Sequence, residues 1–237
     1  MTVRGVVHMV GAGPGDPQLL TRRAARLLGA ADVVVTDRPA ADEVAALAPP
    51  TARRCYVGEA VDDPAWPLAR IVDLLASHAG RGRQVVRLEA GDLFVGSRAA
   101  EEVEALRARG VTVTTTPGVS AATAAALASG TVPVPGTTVT IARDDDDPDV
   151  VPVDWDALAE VGATLVAFAD GARHHEIAER LLAAGAGAAT PVALVCDPTR
   201  PGTQVAHTDL HGLGAMQASP PATLVIGPVR RGARPHR

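Results

Sequence analysis

The sequence contains no lysine, and all 22 of its basic residues are arginine. Schiff-base chemistry and the phosphate-binding lysine of a nucleotide-triphosphate P-loop are therefore excluded. Aromatic residues make up only 2% of the chain, which leaves few surfaces on which nucleic-acid bases stack. The formal net charge is −5, so the chain lacks a general positive field that attracts nucleic acid. We expect no nucleic-acid partner.

Cysteines and long apolar runs are scarce as well. Cys55 and Cys196 are isolated residues, too few for a metal cage and typical of buried thiols in a reducing compartment. No apolar stretch approaches the ~20 residues of a membrane helix. The opening MTVRGVVHMV lacks the charged region, apolar segment and cleavage site of a signal peptide. The sequence predicts a cytoplasmic protein with no membrane partner.

Apolar strand-like runs alternate with alanine- and leucine-rich stretches of helical period along the 237 residues. This alternation predicts an α/β fold built from βα units around a mostly parallel sheet. The predicted strands are 6–10, 32–36, 53–57, 84–88, 111–115, 137–142, 163–168, 191–196 and 222–226. The predicted helices are 17–29, 39–48, 67–79, 97–109, 120–129, 155–161 and 173–184.

A change of character near TTTPGVS predicts a domain boundary close to Pro117. We expect an N-terminal α/β domain over 1–117, a C-terminal α/β domain over 118–229 and a basic tail over 230–237. Ligands commonly bind in the cleft between two such domains.

Two groups of polar residues qualify as candidate metal ligands. The acidic run at 143–149 is typical of a solvated loop, because metal-binding carboxylates are normally spaced by turn geometry. His207 and His211 stand four residues apart, but no third ligand is evident for a zinc ion. We expect no bound metal.

The stretch VGAGPGD, at 10–16, breaks an apolar run and precedes a predicted helix. A loop in that position presents unpaired amides and the positive end of a helix dipole. A dinucleotide-binding loop requires a third glycine where this chain has Asp16, although Asp37 imitates the acid that binds the ribose in that fold. An NAD-dependent oxidoreductase stays an alternative, as does a simple tight turn in which Asp16 caps the helix.

The segment VGAGPGDPQLLTRRAARLLGAADVVVTDR closely resembles the opening of the uroporphyrinogen-III C-methyltransferases, within the tetrapyrrole methylase family. Further matching segments follow in the family's order and spacing and cover nearly the whole chain. They lie at 56–58, 85–111, 117–130, 154–170, 190–195 and 220–229.

The resemblance implies a two-domain α/β methyltransferase fold of class III, usually homodimeric, with S-adenosyl-L-methionine folded into an interdomain cleft. The implied reaction transfers a methyl group from the sulfonium to a ring carbon of uroporphyrinogen III, twice, and yields precorrin-2 for sirohaem or cobalamin. It implies Asp37 as the proton acceptor and Arg38 as a contact for a substrate carboxylate. The matching cofactor-binding positions are Pro14, Gly91, Asp92, Val95, Ser120 and Ala121. Among these, Asp92 is expected to pair with the amino group of the methionine moiety.

The sequence departs from the family pattern at several positions around the expected site. Glu59 and Glu89 stand where the family has lysine, and these two charge reversals indicate a changed charge requirement on the substrate side. Shorter or altered side chains occur at Ala90, Ala169 and Pro198 and in the shortened segment 131–136. These departures motivate a second hypothesis, a non-catalytic binding or regulatory protein derived from the methylase fold.

Overall fold

The computed structural model describes residues 5–37, 41–58, 66–95, 97–133, 139–143, 153–169, 173–216 and 222–231. The chain divides into two compact units, Met1–Ser120 and Ala121–Arg237.

In the first unit, the described strands are β1 (Val6–Gly11), β2 (Val33–Thr36), β3 (Arg53–Tyr56), β4 (Gln84–Glu89) and β5 (Thr112–Thr116). The helices are α1 (Arg22–Gly29), α2 (Asp42–Ala45), α3 (Leu68–Gly80) and α4 (Ala99–Ala108). The strands form one parallel sheet in the order β3-β2-β4-β1-β5. All carboxyl ends therefore lie at the same edge of the sheet.

Side chains that alternate along these strands build a core on each face of the sheet. Val7, Met9 and Val85 pack with residues of α3 and α4, whereas Val34 and Leu88 pack with residues of α1 and α2. The near-continuous apolar strands follow from this double coverage, because both faces of a covered parallel sheet are buried.

The predicted helix over 17–29 is interrupted. Pro17–Leu19 form a short 3-10 turn that Asp16 caps, its Oδ1 accepting a hydrogen bond from the Gln18 amide at 2.8 Å. Helix α1 begins only after Thr21, whose hydroxyl accepts from the Ala24 amide at 3.2 Å. A single helix was wrong because Leu20 and Thr21 adopt extended backbone and start a second cap.

The second unit contains β6 (Thr131–Pro133), β7 (Val139–Arg143), β8 (Thr164–Ala169), β9 (Pro191–Cys196), β10 (Gln204–Asp209), β11 (Ala222–Ile226) and β12 (Val229–Arg231). Its helices are α5 (Ala121–Ala128), α6 (Trp155–Val161), α7 (Arg173–Ala183) and α8 (Leu210–Leu213). Five of the strands form a sheet in the order β10-β9-β11-β8-β7.

This second sheet corrects the expectation of mostly parallel strands. Only β7 and β8 are parallel, whereas β8, β11, β9 and β10 pair antiparallel. Strand β10 was not predicted, because its residues are largely exposed at the sheet edge and carry little apolar pattern. Arg230 and Arg231, assigned to the basic tail from sequence, pair with β6 as part of β12.

Candidate active site at the carboxyl edge of the first sheet

Three glycine-containing loops meet where β1, β4 and β5 end. Gly13, in the loop after β1, exchanges two backbone hydrogen bonds with Gly91, in the loop after β4, at 3.0 and 2.8 Å. Both residues have positive φ, 75° and 74°, which glycine adopts without strain. The amide of Ala12 also donates to the carbonyl of Glu89 at 2.7 Å, so the two loops are joined along several residues.

The loop after β5 approaches the same point backbone to backbone. A Cβ placed on Gly118 would lie 2.2 Å from the carbonyl oxygen of Gly91, and one on Gly11 would lie 2.5 Å from the Gly118 nitrogen. No side chain fits at either position without moving the strand ends apart. We call the meeting of Gly11, Gly91 and Gly118 the glycine junction.

Asp92 holds two of these loops together. Its Oδ1 accepts a hydrogen bond from the Phe94 amide and its Oδ2 accepts one from the Gly118 amide, both at 2.9 Å. The sequence predicted a contact with a cationic amino group, whereas in the structure both carboxylate oxygens bind backbone amides. The Asp92 side chain therefore shapes the loop in which the half-buried Val95 lies.

The remaining cofactor-binding positions predicted from sequence lie next to the glycine junction along the chain. Pro14 directly follows Gly13 and is half-buried. Ser120 follows Gly118 by two residues and ends the first unit, while Ala121 is the first residue of α5 and begins the second. The structure thus brings Pro14, Gly91 and Asp92 onto neighbouring loops, with Val95 and Ser120 on the continuations of those loops.

The predicted proton acceptor, Asp37, directly follows β2 at the same edge of the sheet. Its Oδ2 accepts a hydrogen bond from Arg87 Nη2 at 3.0 Å. Its Oδ1 is buried and has no hydrogen-bond partner among the described residues, although the side chain as a whole is 26% exposed. One carboxylate oxygen is thus bound to Arg87, and the other has no hydrogen-bond partner in the described part of the chain.

Arg87 is the centre of a buried ion cluster, formed with Asp37, Glu89 and Glu102. Glu102 of α4 accepts from Arg87 Nε at 3.1 and 3.3 Å and from Nη2 at 3.0 Å. Nη1 donates to the Leu88 carbonyl at 2.9 Å, and the Arg87 side chain is only 2% exposed. Every nitrogen of the guanidinium is therefore engaged, which fixes the group in one position.

The electrostatics of the ion cluster follow from its charges. Burial alone would lower the pKa of Arg87, but the carboxylates of Glu89, Asp37 and Glu102 outweigh it and raise the pKa above its ordinary value. Arg87 is thus held as a cation. A charge in the interior of a protein is tolerated when it is paired and hydrogen-bonded in this way.

Glu89 corrects one interpretation made from sequence. Its replacement of a lysine indicated a changed charge on the substrate side, but the residue is buried and its Oε1 lies 2.6 Å from Arg87 Nη2. Its charge therefore faces the ion cluster. Sequence analysis missed Arg87 and Glu102, although an arginine inside the apolar strand QVVRLE signals that a buried partner must exist.

Several other sequence positions fall elsewhere or outside the described residues. Arg38, Glu59 and the part of the shortened segment at 134–136 lie outside them, as does 144–149 of the acidic run. Ala169 is fully buried at the end of β8, paired with Ala222. Ala90 is half-buried between β4 and Gly91, and Pro198 is half-buried in the turn after β9.

The two histidines weighed as a zinc pair lie on different elements. His207 is exposed on β10 and His211 is exposed on α8. In the described ranges, no three His, Cys, Asp or Glu side chains are arranged to hold a metal ion. Over the same part of the chain, no helix combines the length and apolar character needed to cross a membrane.

The fold and this edge define a class: an α/β protein with loops at the carboxyl edge of a parallel sheet, where ligands commonly bind in open α/β folds. A model of the tetrapyrrole (corrin/porphyrin) methylases matches residues 6–214. The chain belongs to this family of tetrapyrrole methylases, and the α/β methylase fold predicted from sequence is confirmed.

Named relatives agree with the family. The siroheme synthase of Azotobacter vinelandii is 37% identical over 96% of this chain and 50% of its own length. Siroheme synthase 1 of Pectobacterium atrosepticum is also 37% identical, over 95% of this chain and 48% of that protein. The chain therefore spans about half the length of the curated relatives it matches.

Solved structures extend the likeness to three dimensions. The uroporphyrin-III C-methyl transferase of Thermus thermophilus, complexed with S-adenyl homocysteine, is 35% identical with a TM-score of 0.79, over 94% of this chain and 92% of that one. A cobalt precorrin-4 methyltransferase is 25% identical with a TM-score of 0.80, over 93% and 94% of the two chains.

Proposed function

We propose that this chain is an S-adenosyl-L-methionine-dependent C-methyltransferase that methylates uroporphyrinogen III, to precorrin-2, or a related tetrapyrrole. The observation that carries the proposal is the Asp37 carboxylate, held by Arg87 through Oδ2 and unused at its buried Oδ1 within the described residues. A held carboxylate with an unused oxygen fits the base that a carbon methylation requires, because the substrate must lose a proton. Membership of the methylase family supports the same reaction.

The cofactor part of the proposal rests on the glycine junction and on the Thermus thermophilus relative crystallised with S-adenyl homocysteine. S-adenosyl-L-methionine carries two cationic groups and an adenosine. Loops without bulky side chains let backbone amides and carbonyls approach such a ligand closely. We assign Pro14, Gly91, Asp92, Val95, Ser120 and Ala121 to its binding.

When bound, the cofactor supplies a methyl group on a positively charged sulfur. This chain's residues then orient the acceptor and receive a proton. Asp37 Oδ1 takes the proton that the tetrapyrrole releases, while Arg87 keeps the carboxylate at the carboxyl end of β2. Arg38, the next residue, is assigned to a substrate carboxylate, a pairing that suits its guanidinium group. Positioning of the reactants supplies much of the remaining rate enhancement.

The direct experiment measures transfer of a labelled methyl group from S-adenosyl-L-methionine to uroporphyrinogen III. Asp37→Asn is expected to lower kcat by about 100-fold or more, because it removes the proton acceptor. The affinity for S-adenosylhomocysteine, measured by calorimetry, is expected to stay within about twofold, since the glycine junction is untouched. Glu104→Gln, at an exposed position on α4, is the matched control and should behave as the wild type.

A non-catalytic binding protein, the alternative, gives different results in these measurements of methyl transfer and cofactor binding. It predicts no methyl transfer by the wild type under conditions in which an active relative works, with weak or absent cofactor binding. Micromolar affinity for S-adenosylmethionine would count against it. The structure weakens one reason for the non-catalytic alternative, because Glu89 faces Arg87 in the ion cluster. The NAD-dependent alternative is disfavoured by the family and would require NAD binding in the same titration.

A homodimer and a cytoplasmic location remain part of the proposal. Light scattering of the purified chain measures the first, and cell fractionation measures the second. A monomer in solution would remove the dimer from the proposal without affecting the proposed reaction.

A further inference from the structure

We propose that Glu89 is a positioning residue that acts through Arg87 on the proton acceptor Asp37. The proposal rests on the proposed function, because it needs Asp37 to be that acceptor. Glu89 departs from the family's lysine, so its role here belongs to this chain.

Carboxylate groups crowd around one nitrogen of Arg87, Nη2. Three carboxylate oxygens surround this nitrogen: Glu89 Oε1 at 2.6 Å, Asp37 Oδ2 at 3.0 Å and Glu102 Oε1 at 3.0 Å. A guanidinium Nη carries two hydrogens. The two hydrogen bonds made by Nη2 go to Asp37 and Glu102. Glu89 therefore approaches the same nitrogen as a third anion.

The Arg87 guanidinium has little freedom to move toward any one of these three carboxylates. Its fork to Glu102 and its hydrogen bond to the Leu88 carbonyl hold the guanidinium plane. Asp37 and Glu89 share what remains of its positive charge. Arg87 and Glu89 are buried and Asp37 is 26% exposed, so water screens these charges less than it does at the protein surface.

The consequence concerns the strength of Asp37 as a base. A single arginine beside a carboxylate stabilises the charged form and so weakens it as a proton acceptor. Here Glu89 draws part of the same positive charge and adds a like charge nearby, which opposes that weakening. Arg87 can thus hold the Asp37 carboxylate in place while its positive charge is divided between Asp37 and Glu89.

Within the part of the chain that the structure describes, two helices pack near this ion cluster. Helix α4 supplies Glu102, and α3 supplies the apolar side chains of Ile71, Val72 and Leu75 to the core there. On β3, the hydroxyl of Tyr56 and the Asp37 carbonyl both lie close to Gly58. Among the described residues, only Glu89, Asp37 and Glu102 raise the pKa of Arg87.

The first test is the pH profile of kcat/KM for methyl transfer to uroporphyrinogen III. In Glu89→Gln, the acidic limb is expected to move to lower pH by about one unit, because the full charge of Arg87 then falls on Asp37. The plateau kcat is expected to fall about three- to tenfold, with KM for the cofactor unchanged, because a weaker base accepts the proton less readily. Glu89→Asp keeps the charge and should restore the wild-type profile. An unmoved pH profile in Glu89→Gln, or a kcat as close to the wild-type value as that of the Glu104→Gln control, overturns the proposal.

The second test needs no activity. Urea denaturation of the wild type, Glu89→Gln, Asp37→Asn and the double variant forms a mutant cycle. Because Asp37 and Glu89 compete for Arg87, Glu89→Gln is expected to lower the urea midpoint more in the Asp37→Asn background than in the wild type. Simple additivity overturns the proposal even if methyl transfer occurs. Coupling together with no wild-type methyl transfer overturns the proposed function and, with it, the role of Glu89 in proton transfer.

Discussion

The glycine junction makes Gly118 sensitive to the addition of any side chain. In Gly118→Ala, the new Cβ would lie 2.2 Å from the Gly91 carbonyl oxygen and 2.8 Å from the carbonyl carbon and oxygen of Gly11. All of these are backbone atoms at the ends of neighbouring strands, so none rotates away as a side chain does. The loops after β1, β4 and β5 must separate to admit the methyl group.

Two costs add in this variant. Overpacking a close-packed interior costs about 1–3 kcal/mol. Separation of the loops also weakens the hydrogen bond from the Gly118 amide to Asp92 Oδ2, 2.9 Å in the wild type. A hydrogen bond to a charged acceptor contributes about 1.5–3 kcal/mol. We expect the free energy of unfolding to fall by about 3–5 kcal/mol, the sum of the two ranges less what relaxation of the loops recovers.

Urea denaturation followed by circular dichroism measures this loss, and calorimetric titration with S-adenosylhomocysteine measures the effect on binding. Gly29→Ala is the matched control, because a Cβ at Gly29 in α1 has no atom within 4 Å apart from its chain neighbours and the backbone of its own helix. The control should be as stable as the wild type or more stable by up to about 1 kcal/mol, since alanine favours a helix. Wild-type stability and ligand affinity in Gly118→Ala would refute the close approach of the three glycines.

Three further predictions concern polar side chains at Arg87, Asp92 and His78. Arg87→Met leaves three carboxyl groups without a counter-charge, so the free energy of unfolding at pH 7 should fall by about 3–5 kcal/mol in urea denaturation, and by less at pH 4, where carboxyl groups take up protons. Asp92→Asn replaces one acceptor by an NH2 group that faces a backbone amide; we expect a loss of about 1–2 kcal/mol and weaker S-adenosylhomocysteine binding by calorimetry, with a larger loss in Asp92→Ala. Burial, and then the charges of Arg83, Arg53 and Arg81, lower the pKa of His78 below its ordinary value of 6.5. The unfolded chain therefore binds a proton more readily, and the wild type should lose more stability than His78→Gln between pH 7 and pH 5, with equal losses contradicting this.

Sequence periodicity was most informative in the first unit. The strands near 6–10, 32–36, 53–57, 84–88 and 111–115 occur within a residue or so of their predicted bounds, because double coverage of a parallel sheet produces near-continuous apolar runs. Cap chemistry at Asp16 and Thr21 divided the helix predicted over 17–29. That division depends on the backbone conformation at Leu20 and Thr21, which helical periodicity does not reveal.

Strand direction in the second unit was beyond the reach of periodicity. A buried strand has the same apolar character whether its neighbours run parallel or antiparallel. Strand β11 lies between β8 and β9, although it follows both in the chain, and so the pairing order comes from packing. The edge strand β10 was missed because exposed residues carry little apolar signal.

By itself, the sequence determined the α/β class, the glycine positions that permit close loops, and Asp37 as the acid that directly follows β2. Glycine spacing and apolar alternation are local properties, so the residues concerned carry the signal within a few positions of one another. Only the tertiary structure decided that Glu89 faces Arg87 and that Asp92 binds backbone amides. The partners in these contacts come from separate elements, as far apart as Asp37 after β2 and Glu102 on α4. A buried charge is stabilised by whatever folding places beside it, and that is a property of the packed chain.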